Sequence, residues 1–258
     1  MTHPAYGELR RVTPSAGVIL EDNPSAMTLE GTNTWLLRAP NAPTCVVVDP
    51  GYEDVPHLTR VAETAGEIEL ILVTHQHPDH VQGAPWLAAR GAAPIRAFDP
   101  TLCADAEALV DGEIVAAAGL SIEVLHTPGH TEDSICLKVD NTVLTGDSML
   151  GRGTTVISDL GAYLSSLRRL TDLPPNTLAL PGHGPELEDT ATTAQEYLKH
   201  REDRLNQVRA ALKALGQTAT ARQIVEHVYQ DVDESLWGPA EWSVQAQLAY
   251  LRTTGEAR

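Results

Sequence analysis

Short apolar runs, most with β-branched residues, alternate along the chain with segments whose apolar positions recur every three or four residues. The runs at 34–37, 44–48, 70–73, 121–125, 134–139, 142–144 and 178–180 have the length and composition of strands. Residues 121–125 and 135–139 alternate apolar with polar positions, as strands with one buried face do; 70–73 is continuously apolar and reads as a buried strand. Helical spacing appears at Leu160, Tyr163, Leu164, Leu167 and Leu170, where Asp159 is placed to cap the start and Pro174-Pro175 ends the segment. Residues 81–90 read as a loop passing into a helix, with Pro85 tolerated in its first turn. Strands interleaved with surface helices in this order predict a layered α/β sandwich, sheets inside and helices outside.

From about residue 190 the pattern changes to continuous helix formers. A long helix is predicted over 191–215, closed by Gly216. Thr220-Ala221-Arg222-Gln223 has the form of a capping box and opens a helix with Ile224, Val225 and Val228 as its apolar set. A last helix is predicted over 240–252, with Val244, Leu248 and Leu251 on one face and Trp237, Trp242 and Tyr250 adding bulk. The expected organisation is therefore a sandwich domain over 1–190 and a small helical domain over 191–258.

Composition narrows the core. Of the 258 residues 42% are hydrophobic but only 4% are aromatic, so Val, Leu, Ile and Ala must fill the interior. No window approaches the ~18 apolar residues of a membrane span, and residues 1–11 contain no apolar signal core, which points to the cytoplasm. Cys45, Cys103 and Cys136 match no disulfide or zinc spacing; Cys45 and Cys136 lie in apolar runs and read as small core residues. The net charge of −17 repels polyanions. It is uneven, with 7 basic against 21 acidic residues in 1–150, and 11 against 14 thereafter. Lys199, Arg201, Arg204, Arg209 and Lys213 form a locally basic stretch, which reads first as a solvated helix face and second as a weak patch for an anionic substrate.

Chemistry is concentrated at His75-Gln76-His77-Pro78-Asp79-His80, which places three imidazoles and a carboxylate within six positions directly after the strand at 70–73. Imidazole with carboxylate oxygen suits Zn²⁺, with Fe and Mn as alternatives. The helical H-x-x-x-H spacing of zincins is absent. Three later strand ends each add one donor beside a glycine that lets the backbone turn: His130 in Gly129-His130, Asp147 in Gly146-Asp147, and His183 in Gly182-His183-Gly184.

With these donors in this order, and Asp49-Pro50-Gly51 after a strand, the chain resembles the metallo-β-lactamase superfamily over about residues 15–190. The resemblance implies the αββα fold. It further implies that His75, His77 and His130 hold one ion, that Asp79, His80 and His183 hold a second, that Asp147 bridges both, and that Asp49 orients a ligand histidine. Gly31-Thr32-Asn33-Thr34, residues 146–155 and Pro181-Gly182-His183-Gly184-Pro185 are similar to the lactamase-beta-2-like subfamily, as is the long helix bearing His200-Arg201 ahead of a winged-helix-like module. Members usually continue past the last helix into a β wing, whereas here only 252–258 follow, so the wing is expected to be missing or vestigial.

The implied activity is that of a dinuclear hydrolase whose nucleophile is a hydroxide held between two Zn²⁺ ions, with Asp79 and His183 as catalytic residues. Asn33, Thr154 and Thr155 are candidate substrate contacts. The subfamily implies a phosphodiester substrate, single-stranded RNA, first; an acyl thioester is the alternative, and a non-enzymatic nucleic-acid adaptor a third reading. Antibiotic-hydrolysing members often place a Cys among the ligands of the second ion, and none falls there in this chain. His126 reads as a strand-end or ligand-supporting residue; His3, His57, His200 and His227 read as surface.

Overall fold

The computed structural model describes residues 5–230, 234 and 237–256, so His3 lies outside the described residues. The apolar runs pair into two sheets. In the first the order is β1 (Leu9–Arg11), β2 (Ala16–Leu20), β3 (Asn33–Leu37), β4 (Thr44–Val48), β5 (Glu67–Leu72) and β6 (Ile95–Arg96), antiparallel as far as β4 and parallel beyond it. In the second, β7 (Ile114–Ala117), β8 (Leu120–His126), β9 (Ile135–Val139) and β10 (Thr142–Gly146) are antiparallel neighbours, and β11 (Leu178–Pro181) adds to β10 in parallel.

Period-two alternation sorts the side chains into three packed layers. Val46 and Val48 of β4, Leu70 and Leu72 of β5, and Trp35 and Leu37 of β3 face the second sheet, meeting Ile122, Val124, Leu137 and Leu144. The alternate residues Cys45, Val47 and Ile71 face outward onto α1 (Val55–Ala65) and α3 (Ala84–Gly91) through Leu58, Val61 and Leu87. On the far side, Cys136, Val143 and Ala179 pack under α4 (Leu160–Thr171) and α5 (Thr190–Leu215), and one hydrophobic cluster continues from there into α6 (Ala221–Val228) and α7 (Trp237–Thr253). This is the αββα sandwich with a helical C-terminal part. No helix of the described residues is long and apolar enough to cross a membrane. Among the described residues no strand follows β11.

Several elements differ from the expectation. Strand β2 is fully buried yet carries Gly17 at its second position, which weakens its strand signal; a Cβ there would sit 2.8 Å from the Leu9 side chain. Strand β1 is an exposed edge guarded by Arg10 and Arg11. Helix α1 opens on Val55-Pro56-His57 and has polar residues between its buried ones, so its apolar stripe is sparse. His57, expected at the surface, is 5% exposed, its Nε2 2.9 Å from Thr34 Oγ1, and burial pulls its pKa down to about 4.

Candidate metal centre

The centre lies where the ends of both sheets are stitched together. Thr74, just past β5, accepts from Ile135 N of β9 (2.9 Å), and Asn33 N of β3 donates to Gly182 O, just past β11 (2.8 Å). Loops leaving β5, β8, β10 and β11 therefore converge. The first carries His75 and His77 and turns into the one-turn helix α2 (Pro78–Val81), which carries Asp79 and His80. The other three carry His130, Asp147 and His183.

These seven residues form two groups: His75, His77, His130 and Asp147 in one, and Asp79, His80 and His183 in the other, with donor atoms within each group no more than 4.8 Å apart. Asp147 stands between them, its Oδ2 3.7 Å from His130 Nε2 and 3.4 Å from His183 Nε2, its Oδ1 3.5 Å from His80 Nε2. Gly182 permits that approach, since a Cβ on it would lie 2.7 Å from both Asp147 Oδ1 and His80 Cε1.

A shell of acceptors sets which nitrogen of each ring faces inward. His130 Nδ1 lies 2.7 Å from Val156 O, His183 Nδ1 3.1 Å from Gly31 O, and His80 Nδ1 2.9 Å from Asp49 Oδ2. Thr74 Oγ1 donates to Asp49 Oδ2 at 2.7 Å and so accepts from His75 Nδ1 at 3.0 Å. In these tautomers the Nε2 atoms of His75, His80, His130 and His183 turn their lone pairs into the centre. His77 joins them through Nδ1, which is 3.0 Å from His75 Nε2 and 2.9 Å from His130 Nε2. His80 Nε2 and His183 Nε2 are likewise only 3.3 Å apart. Lone pairs packed this closely repel unless a cation or a proton lies between them, and Asp147 Oδ1 is buried with no hydrogen-bond donor. The donors present therefore fit two divalent ions.

Electrostatics divides the two groups. Burial, reinforced by the neighbouring rings, holds His75 well below its ordinary value and His77 at about 4. Burial also opposes charge on His183, but the carboxylates of Asp147 and Asp79 outweigh it and raise His183 well above the usual range; His80 is raised against burial by Asp147 and Asp49. Asp147 is correspondingly held well below an ordinary carboxylate, against burial, by His183 and His80. Asp49 is 1% exposed, sits at φ 52° just past β4, and has both oxygens engaged, Oδ1 accepting from Thr74 N at 2.8 Å. Beside it the buried Glu21, to which the sequence reading gave no role, is pushed up to about 7 by desolvation and accepts from Tyr52 N at 3.2 Å.

Three candidate substrate contacts are placed otherwise. Asn33 is buried and its amide donates to Pro181 O (3.0 Å) and Gly184 O (2.8 Å), so it braces the His183 loop instead of facing the cleft. Thr155 is buried behind His130, Oγ1 to Nδ1 3.1 Å, and Thr154 is exposed on the far side of that loop from the seven donors, where it lines a second, smaller cavity. His126 stacks on Phe98 and has Nε2 2.8 Å from Glu132 O, away from the centre. The basic stretch of α5 is not one face: Arg209 pairs with Glu202 and Glu256, while Arg201 is buried.

Over the centre lies a cleft of about 770 Å³. His77, Asp79, His130, Asp147 and His183 form its floor, and Met27, Tyr52, Ile157, Trp242, Ala246 and Ala249 much of its wall. Among the described residues no Lys or Arg lines it. Met27 and Trp242 are 45% and 58% exposed. None of these wall residues stands in a motif that marks it for the site, although Trp242, Ala246 and Ala249 follow helical spacing on a different line from the core-facing Val244, Leu248 and Leu251.

Residues 27–117 and 104–183 match the Metallo-beta-lactamase superfamily, and residues 220–258 match the beta-lactamase associated winged helix domain. The Beta-lactamase-like protein 2 homolog of Drosophila melanogaster is 34% identical over 96% of this chain and 91% of its own length. An atrochrysone carboxyl ACP thioesterase of Aspergillus chevalieri is 31% identical over 90% of this chain and 79% of its own. Among solved structures, a beta-lactamase domain protein from Burkholderia ambifaria superposes with a TM-score of 0.83 at 23% identity, covering 99% of this chain and 91% of that one.

Proposed function

The chain belongs to the metallo-beta-lactamase superfamily of hydrolases, and from that premise we propose that it hydrolyses acyl thioesters at a centre of two divalent ions, Zn²⁺ foremost. The observation that carries the substrate class is the cleft wall, where apolar side chains stand among a few neutral polar ones and, among the described residues, no Lys or Arg lies above the ligands. Binding a nucleic-acid strand depends on cationic contacts to successive phosphates, and a net charge of −17 adds repulsion. An acyl chain needs the opposite, an apolar surface that releases water as it is covered. The order expected from the sequence is therefore reversed: thioester first, single-stranded RNA second. A relative of this chain bearing the name of an ACP thioesterase supports the same order.

Two bound ions would supply Lewis acidity and a nucleophile available at neutral pH. His75, His77 and His130 would hold one ion, Asp79, His80 and His183 the other, with Asp147 shared. Asp79 is the ligand placed to handle a proton, because its carboxylate reaches the cleft with Oδ2 3.3 Å from His183 Nε2. Asp49, Thr74, Val156 O and Gly31 O keep the rings in the ligating tautomer. Met27, Ile157 and Trp242 would hold the acyl chain and exclude water from the carbonyl. A thiol leaves as an anion, its pKa being about 8.5, so no general acid is required opposite the nucleophile. Among the described residues of the wall beyond the ligands the one titratable group is the weakly acidic Tyr52 phenol, raised above its ordinary value by burial and by Asp79.

The test is turnover by metal-loaded protein of an acyl-thioester series of increasing chain length and of a single-stranded RNA. Thioester cleavage that improves with chain length is expected, together with close to two ions per chain by metal analysis. Trp242→Ala should lower kcat/KM for the longest acyl group roughly tenfold, about 1.4 kcal/mol, while sparing the acetyl ester. Cleavage of the RNA with every thioester left intact would sink this reading.

A further inference from the structure

Behind the loop that carries Thr155 and Val156, a second cavity of about 200 Å³ opens between α5 and α7. Arg201, Arg204 and His200 line it together with Thr154 and Ser243. Arg201 is only 4% exposed. Its Nη2 donates to Thr155 O and its guanidinium lies 5.1 Å from the Tyr163 ring centre, but its Nε has no hydrogen-bond partner, and it forms no ion pair with any carboxylate of the described residues. Arg204 is half-buried, stacks over Tyr229 at 4.7 Å, and among the described residues donates to the neutral Gln207 amide and to no carboxylate. His200 Nδ1 is also buried without a partner. Of the acidic neighbours on α5, Glu202 is committed to Arg209 and Asp203 is exposed. A buried guanidinium with no counter-charge among the described residues is costly, and an anion in the cavity would offset that cost.

We propose that this cavity is an anion subsite that takes a phosphate group on the carrier arm of the thioester. Two guanidiniums and an imidazole supply the fork-like donors that a phosphate engages, and the cavity is too small for the acyl chain that the larger cleft accommodates. Val156 lines both cavities, and on α7 Ser243 faces the small one while Trp242 and Ala246 face the large one. The two cavities thus adjoin at Val156, and an arm that runs from the seven donors past Val156 would bring its phosphate to Arg204. The substrate class becomes a thioester whose thiol is borne on a phosphorylated arm, as in coenzyme A or a phosphopantetheinyl carrier. This assignment of the phosphate to the substrate rests on the thioester reading above.

The experiment compares, in the holoenzyme, an acyl-coenzyme A with the N-acetylcysteamine thioester of the same acyl group, which lacks the phosphate. The wild type should prefer the coenzyme A ester in kcat/KM, Arg204→Ala should lower that preference at least tenfold through KM, and Arg204→Lys should recover part of it. No preference in the wild type, or an equal loss on both esters, overturns the proposal. Cleavage of single-stranded RNA that depends on Arg204 while both esters stay intact overturns it as well. If wild type cleaves neither ester nor RNA, the thioester reading has failed on its own and the cavity is judged with inorganic phosphate. A phosphate-dependent rise in Tm that Arg204→Ala diminishes then supports a site for the free ion. A rise unaffected by the substitution, or none, rejects the cavity as an anion site.

Discussion

Each histidine of the centre is held so that one ring nitrogen faces inward, and its neighbours decide whether that nitrogen carries a proton before a metal arrives. His75 and His77 are held low by burial, so near pH 7 they present lone pairs and lose no proton on ligation. His183 is raised well above its ordinary value by Asp147 and Asp79, and an ion bound there must expel a proton. The sign follows: the affinity of the Asp79, His80 and His183 group should fall as pH drops, while the other group is less affected over the same range. Dialysis against limiting metal at pH 6 should leave nearer one ion per chain than two, and at pH 8 nearer two. Equal depletion of both sites would contradict this division. Gly182 offers a second handle, since its missing Cβ is the space that Asp147 and His80 occupy. Gly182→Ala should lower metal content and reduce activity by one to two orders of magnitude. Its N–H bond to Gly146 O (2.8 Å) does not involve the added methyl, so far-UV circular dichroism should be unchanged.

Helix α4 shows how an element and the centre are coupled through backbone. Asp159 caps it, accepting from Ala162 N at 2.9 Å, and the N–H groups of Ser158 and Asp159 both donate to Gly129 O beside His130. Asp159→Ala should cost about 1 kcal/mol of stability by chemical denaturation. Metal content should stay at the wild-type value because the bonds to Gly129 O are main-chain; a loss of metal would show that the cap itself positions His130. This cap was legible in the sequence, as were β4 over Thr44–Val48, the Thr220 and Gln223 capping box, and Gly216 after α5. Such features depend on residues close together along the chain. The metal donors were legible for a similar reason: four fall within 75–80, and each of the others follows a strand beside a glycine. Strand β6 is only Ile95–Arg96, too short to show a period, and Gly17 interrupts β2. The cleft wall was hidden more deeply. Met27, Tyr52, Ile157 and Trp242 come from four separate segments, and only packing shows that they face one cavity. Conversely, Asn33 and Thr155 had the right chemistry for substrate contact, but tertiary hydrogen bonds have already used it.

At the scale of the whole molecule the seven donors divide between the sheets: His75, His77, Asp79 and His80 follow the first sheet's β5, whereas His130, Asp147 and His183 follow β8, β10 and β11 of the second. Each group of ligands draws on both sheets, so an ion in either one cross-links them. Binding to the folded chain alone adds stability as RT ln(1 + [L]/Kd), about 4 kcal/mol for free metal at a thousand times Kd. The sheets do not depend on metal for contact, however. Trp35 Nε1 donates to Pro181 O at 3.0 Å, Ile135 N to Thr74 O at 2.9 Å, and the apolar layer between the sheets is continuous. Chelation should therefore lower Tm by several degrees while leaving a cooperative transition and native secondary structure, unlike a zinc finger, which unfolds without its metal. Asp147→Asn should remove most of the metal-dependent rise in Tm, because its shared oxygens serve both groups. Calorimetry of metal-loaded and chelated protein, wild type and variant, checks both statements. A chelated wild type with no thermal transition would mean that the ions, and not the packed sheets, hold the sandwich together.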